Sequence, residues 1–314
     1  MPAAPSASAA NAIPPELLAR IRRIEIRARR LVADLFRGEY QSVFRGRGIE
    51  FSEVRQYQPG DDVRAIDWNV TARMGVPYIK QYIEERELNV LLAVDLSASS
   101  LFTSTGITKR ELAAEVAATL AFAAVANGDR VGLVAFTDRV ERFVPLAKDR
   151  RHVLRIVREL LYLRPDGAGT DIGAALTYIS RVARRRSIVF ILSDFFDERA
   201  WERQLRATGI KHEVVAVSLT DPRDLTLPDV GLLEVEDAET GARAVIDTGD
   251  RRVRDAYAQR AAEAVQRRRR ALAAAGVEEI ALATDRSYVE PLLRAFDARA
   301  KGRRGARAVT GSRR

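Results

Sequence analysis

The chain reads as an α/β protein built on a doubly wound, mostly parallel sheet, with a small helical and extended segment in front of it. Three observations predict this. Asn89–Asp95 and Ser187–Asp194 are short, branched, apolar runs that each end in a carboxylate, as strands buried on both faces do. A third run, His212–Val217, ends against Ser218-Leu219-Thr220-Asp221. Between and after these runs, helical periodicities alternate with strand patterns, which is the signature of parallel strands joined by crossover helices.

In chain order, residues 1–14 are Ala/Pro/Ser-rich and are expected to be disordered. Residues 15–87 form a separate N-terminal segment. Pro14-Pro15-Glu16 opens a helix with Leu17, Ile21, Ile24, Ala28 and Leu31 on one face and arginines on the others. Such a basic amphipathic helix either lies on a membrane surface or, the ordinary case, packs on its own domain. Phe51, Val54 and Tyr57 then suggest extended pieces around the Gln58-Pro59-Gly60-Asp61 turn. Asp61, Asp62 and Asp67 look like a carboxylate cluster, but a self-satisfied turn with an Arg64 ion pair explains them more simply.

Residues 88–298 hold the main domain. A helix is expected over 109–126, ended by Asn127-Gly128-Asp129. Strands follow at 130–136 and 140–144, then a helix over 150–163. Another helix starts after Gly167-Ala168-Gly169-Thr170-Asp171, and Leu232–Val235 with Ala242–Ile246 reads as a hairpin across Glu239-Thr240-Gly241. A long Arg-rich helix over 250–275 and a last strand over 277–282 complete it, and 299–314 is expected to be a basic disordered tail.

Composition narrows the function classes. The 314 residues contain no cysteine, so disulfides, thiolate catalysis and thiolate-bound metals are excluded. The net charge of +9 is largely a tail property: Lys301, Arg303, Arg304, Arg307, Arg313 and Arg314 supply six of the positive charges. The N-terminus lacks a basic region followed by an apolar core, and no apolar stretch is long enough for a membrane span, so a cytoplasmic location is expected.

The chemistry-bearing residues lie where the two central strands end. Asp95, Ser97 and Ser99 leave the first strand as an all-oxygen donor set suited to a hard cation. Thr170, alone, is equally an N-cap of the helix behind it. Asp194 ends the second strand, and in a doubly wound sheet its C-terminal end can lie beside that of the first. Two facing carboxylates repel without a cation between them. Three hydroxyls and two carboxylates favour Mg²⁺, with Mn²⁺ as its substitute, and leave an open coordination position.

Tyr57-Gln58-Pro59-Gly60-Asp61-Asp62, Arg64, Ile66-Asp67-Trp68 and the later strand ending Asp-x-Ser-x-Ser together resemble the domain-of-unknown-function 58 family. That resemblance implies a von Willebrand factor A-like, Rossmann-type domain whose metal-ion-dependent adhesion site is Asp95, Ser97, Ser99, Thr170 and Asp194. It also implies a partner protein that supplies a Glu or Asp to the metal. A MoxR-type AAA+ ATPase is the implied co-worker in maturing or remodelling a protein complex.

The expected function is therefore a Mg²⁺-dependent protein-binding adaptor and not an enzyme. His152 and His212 are the only histidines, neither lies near the motif in sequence, and there is no Walker A loop or His-Glu-x-x-His. Asp197 could serve as a base, although a helix-terminal acid is the simpler account. The alternatives are a metal-dependent hydrolase on the same cation, or a scaffold acting through the basic ends. For the latter, nucleic acid is the less expected target and a membrane surface the more expected one.

Overall fold

In the computed structural model, residues 15–36, 53–61, 63, 66–81, 87–197 and 199–311 are described. The N-terminal segment contains α1 (Pro15–Leu31), β1 (Glu53–Gln56), α2 (Trp68–Met74) and β2 (Tyr78–Gln81). Then come β3 (Asn89–Asp95), α3 (Lys109–Ala126), β4 (Arg130–Phe136), β5 (Val140–Ala147), α4 (Arg150–Tyr162) and α5 (Ile172–Val182). The rest is β6 (Ile188–Ser193), α6 (Glu202–Lys211), β7 (Glu213–Thr220), α7 (Pro222–Leu225), β8 (Leu232–Glu236), β9 (Arg243–Asp247), α8 (Arg251–Ala274), β10 (Glu278–Ala283) and α9 (Val289–Gly311).

Six strands form one sheet in the order β10-β7-β6-β3-β4-β5. All neighbours are parallel except β4 with β5. The chain starts the sheet at β3, steps outward to β4 and β5, then returns to lay β6 on the other side of β3. That reversal opens a crevice at the C-terminal ends of β3 and β6, the place where an open α/β sheet binds ligands.

The apolar runs are continuous because both sheet faces are covered. Val90, Leu92 and Val94 of β3 pack with Ile188, Phe190 and Leu192 of β6 against α1, α3, α4 and α9. Leu91 and Ala93 face the opposite way with Val189 and Ile191, against α5, α6 and α8. α3 is wrapped on nearly all sides, which its alanines at 113, 114, 117, 118, 121, 123 and 124 allow. Phe190 is completely buried on a central strand. Phe190→Ala is expected to lower stability by about 3–5 kcal/mol, read as a fall in the urea midpoint.

The N-terminal helix belongs to this core. Ile21, Ile24, Ala28 and Val32 are buried against it, while Arg27 reaches Glu115 at 3.0 Å and Arg150 reaches Glu25 at 2.6 Å. Its apolar face is thus used within the domain rather than left for a lipid surface. β1 and β2 form a two-stranded antiparallel ribbon beside it in sequence. Asp61, in the turn just after β1, is held by both Arg55 guanidinium nitrogens, at 2.7 and 2.8 Å. Asp67 caps α2 by accepting from the Asn69 and Val70 N–H groups. Asp62 and Arg64 lie outside the described residues.

At the other end α9 runs to Gly311, past the point near 298 where a disordered tail was expected. Alanine and arginine are strong helix formers, and the basic composition that suggested disorder is equally compatible with an extended helix.

Candidate metal centre

Asp95 is the last residue of β3 and is buried. One of its carboxylate oxygens accepts from the Ser97 N–H at 2.9 Å and the other from the Ser193 hydroxyl at 2.6 Å. The first bond bends the chain back after the strand, which brings Ser97 Oγ within 3.1 Å of Ser99 Oγ. Ser99 Oγ in turn donates to Asp194 Oδ2 at 3.1 Å. Four of the five predicted residues thus form one connected polar chain across the β3–β6 boundary. Its placement follows from register: Val94 pairs with Leu192, so Asp95 faces Ser193 and Asp194 stands one residue further out. Phe195 makes the turn there at φ 60°, a left-handed conformation rarely adopted by a bulky residue.

Thr170 arrives on a separate loop. Asp171, not Thr170, caps α5, accepting from the Ala174 N–H at 2.7 Å. The Thr170 hydroxyl is therefore free of capping duty, and it donates to Glu239 Oε1 at 3.1 Å. Among the described residues Thr170 makes no hydrogen bond to the other four; its loop is joined to theirs through Ala168 and Ala98. That loop is fixed by Ala98 N–H to Ala168 O, Asp171 N–H to Thr137 O, and Gly167 N–H to Glu141 Oε1, each at 2.9 Å. Gly167 is required by close approach, since a Cβ there would run into Asp138 Oδ1 and Thr137 Oγ1. Gly167→Ala is expected to shift the Thr170 loop and weaken Mn²⁺ binding about tenfold or more while the far-ultraviolet spectrum stays unchanged.

Two charged residues at the centre were not anticipated. Lys109, the first residue of α3, is buried, with Nζ 2.7 Å from Asp194 Oδ2 and 3.1 Å from Asp224 Oδ2. Burial pulls its pKa down, but Asp194 and Asp224 outweigh that and hold it above the ordinary lysine value, so it stays charged. A basic residue in a first helical turn opposes the helix dipole. That was the one sign in the sequence that Lys109 answers to something else. The second residue is Glu239, from the β8–β9 turn. Burial raises its carboxyl pKa against the Thr170 hydrogen bond, and Asp194 raises it further. No local pattern marked it, because its position depends on where the hairpin folds back.

The Asp95 carboxyl is pushed up to about 7, by burial first and then by Asp194, against hydrogen bonds from Ser193 and Ser97. The sign of the consequence is fixed. A carboxyl whose folded pKa exceeds its unfolded value near 3.8 contributes stability below that value and loses it as pH rises through about 7. Asp221 works the other way. Hydrogen bonds from Ser104, Arg223 and Thr284 overcome its burial and lower its pKa, so its contribution is lost in acid. Cation-free protein is expected to melt at falling temperature between pH 4 and pH 7, and saturating Mg²⁺ to flatten that fall, in a thermal-unfolding series.

The donor set fits a hard divalent cation. Ser97, Ser99 and Thr170 offer hydroxyl lone pairs; Asp95 fixes the Ser97 backbone, Asp194 accepts from the Ser99 hydroxyl and Glu239 from that of Thr170. Among the described residues Lys109 pairs with Asp194 and Asp224, Arg268 donates to the Asp194 backbone oxygen at 3.3 Å, and Asp95 and Glu239 are in no ion pair. Among the described residues no group of three or more His, Cys, Asp or Glu side chains is arranged to hold a metal, so any cation would depend on the hydroxyls. The remaining candidate groups have structural work. Asp197 accepts from the Ile172 and Arg199 N–H groups, His152 Nε2 lies 2.8 Å from Val131 O, and His212 is buried beside Ser187. Asp221, fully buried, ties Ser104 and Thr284 together and caps α7.

The sheet is of the α/β, mostly parallel kind, with Asp95 and Asp194 at its switch point. The chain belongs to the family described as "Protein of unknown function DUF58", whose model matches residues 53–268. It is 35% identical over 290 residues to the uncharacterized protein Rv1480 of Mycobacterium tuberculosis, covering 92% of this chain and 91% of that one. It is 27% identical over 117 residues to the uncharacterized protein YeaD of Bacillus subtilis, covering 37% of this chain and 27% of that one. Among solved structures it is similar to the conserved hypothetical protein BatB of Bacteroides thetaiotaomicron, at 18% identity and TM-score 0.44, covering 68% of this chain and 99% of that one. The SpRpn10 VWA domain matches at 10% identity and TM-score 0.37, covering 66% and 94% of the two chains. No helix among the described residues is long and apolar enough to cross a membrane.

Proposed function

We propose that the protein is a protein-binding adaptor whose grip is a Mg²⁺ ion, or Mn²⁺ in its place, held by Ser97, Ser99 and Thr170 with Asp95 and Asp194 behind them. The ion would supply a strong, directional acceptor site for one carboxylate oxygen of a partner's Glu or Asp. The observation that carries this reading is what surrounds the centre. Leu101, Phe102, Ile107, Phe196 and Leu225 are each 37–55% exposed, and all sit on the segments that follow the C-terminal ends of β3, β6 and β7. A small polar centre among exposed apolar side chains at one end of a rigid sheet is the composition of a protein-binding surface. The family resemblance suggests a MoxR-type AAA+ ATPase as the partner and maturation or remodelling of a protein complex as the process; the cytoplasm is the proposed setting.

The hydrolase reading has less support. Metal-assisted hydrolysis needs a positioned base or a second metal, and Asp197, the base the sequence suggested, is engaged by two backbone N–H groups. The membrane reading loses its best element because the apolar face of α1 is buried. A pull-down of the ATPase with the tagged chain tests the adaptor role. Capture is expected with Mg²⁺ present and lost in chelator or with Phe102→Asp. Capture indifferent to both would overturn it.

A further inference from the structure

Glu239 is half-buried in a turn whose other residues, Asp237, Ala238 and Thr240, are exposed. The turn is rigid. Asp237 accepts from the Glu239 and Thr240 N–H groups at 2.9 and 2.8 Å, and Gly241 closes it at φ 72°. Its effect is to direct Glu239 onto the Thr170 loop, where Oε1 takes the Thr170 hydroxyl and Oε2 lies against Gly169. Beyond its burial, Asp194, Asp237 and Asp197 among the described residues, all of its own sign, raise the Glu239 carboxyl pKa. Among the described residues no lysine or arginine pairs with it. A carboxylate brought among carboxylates, with one hydroxyl for company, is an arrangement that a cation between them would make favourable.

We infer that Glu239 is an intramolecular ligand of the cation centre, taking the open position that an acidic partner side chain would otherwise fill. This rests on the cation reading above and deepens it: the adaptor carries its own competitor. The hairpin is built to let go. Its strands pair with each other, and Leu232 and Val245 are 75% and 68% exposed. It is fastened at its base, where the Thr248 hydroxyl donates to Gly231 O at 2.6 Å and Arg254 pairs with Asp229 at 3.2 Å. Among the described residues only Glu239 fastens the tip to the centre by a hydrogen bond. A partner carboxylate must therefore displace Glu239, and displacement frees the hairpin, so binding is reported by a moving element.

The test uses Mn²⁺ on the full chain with two readouts, calorimetric affinity and the rate of tryptic cleavage after Arg243 in β9. In the wild type Mn²⁺ is expected to slow that cleavage several-fold. Glu239→Ala is expected to weaken Mn²⁺ binding about tenfold and to abolish the protection, with cleavage elsewhere unchanged. Asp95→Ala separates the two levels of the account. If Mn²⁺ binding depends on Asp95 but neither affinity nor protection responds to Glu239→Ala, the hairpin inference alone is overturned. If the wild type shows no Asp95-dependent Mn²⁺ binding, the cation reading falls and takes this inference with it.

Discussion

Replacing Lys109 with Met is expected to lower the stability of the domain by about 3–5 kcal/mol. Lys109 is a fully desolvated ammonium shared between Asp194 and Asp224, and its side chain is 3% exposed. Removing it leaves the buried Asp194 and the partly buried Asp224 carboxylates without their shared cation. The loss comes from the uncompensated charges, not from the intrinsic worth of the pair. Two controls follow from that mechanism. Acid should restore part of the lost stability, because protonation removes the repulsion. Lys109→Met combined with Asp224→Asn should be less destabilised than Lys109→Met alone, because one orphaned charge is gone. A urea midpoint within about 0.5 kcal/mol of wild type would show that Lys109 does not neutralise the site.

The second large effect is functional. Asp95→Ala removes the acceptor for the Ser97 N–H and the Ser193 hydroxyl, the two bonds that fold the Asp-x-Ser-x-Ser loop back over the strand end. Ser97 and Ser99 then lose their fixed orientation together. Cation affinity should fall by about 100-fold, with Mg²⁺-dependent capture of the partner lost. The fold should survive, since the high pKa of Asp95 means that its charge opposes the cation-free folded state at neutral pH. Cation-free Asp95→Ala is therefore expected to melt no lower than cation-free wild type at pH 8. That separates a binding defect from an unfolding one.

What could be read from the residues alone, and what could not, divides along contact distance. The central strands, the helices that cover them and the β8–β9 hairpin are written in local periodicity and turn chemistry. Asp95, Ser97, Ser99 and Asp194 were placed because a strand's end is a local feature and parallel neighbours put such ends side by side. Thr170 was ambiguous from sequence because a cap and a ligand use the same residue type; the structure gives the cap to Asp171. Lys109 and Glu239 were missed because each reaches the centre from a separate element, through 85 and 69 residues of intervening chain. The C-terminal helix was misread because composition rich in Ala and Arg serves a solvated helix and a disordered tail equally.

The account centres on a cation held by three hydroxyls and two carboxylates at the β3–β6 switch point, and calorimetric titration of Mn²⁺ into the purified chain measures that most directly. One site per chain is predicted, competed by Mg²⁺, and lost separately with Asp95→Ala and with Thr170→Ala. Absence of saturable binding in the wild type, or binding unchanged in both variants, would contradict it.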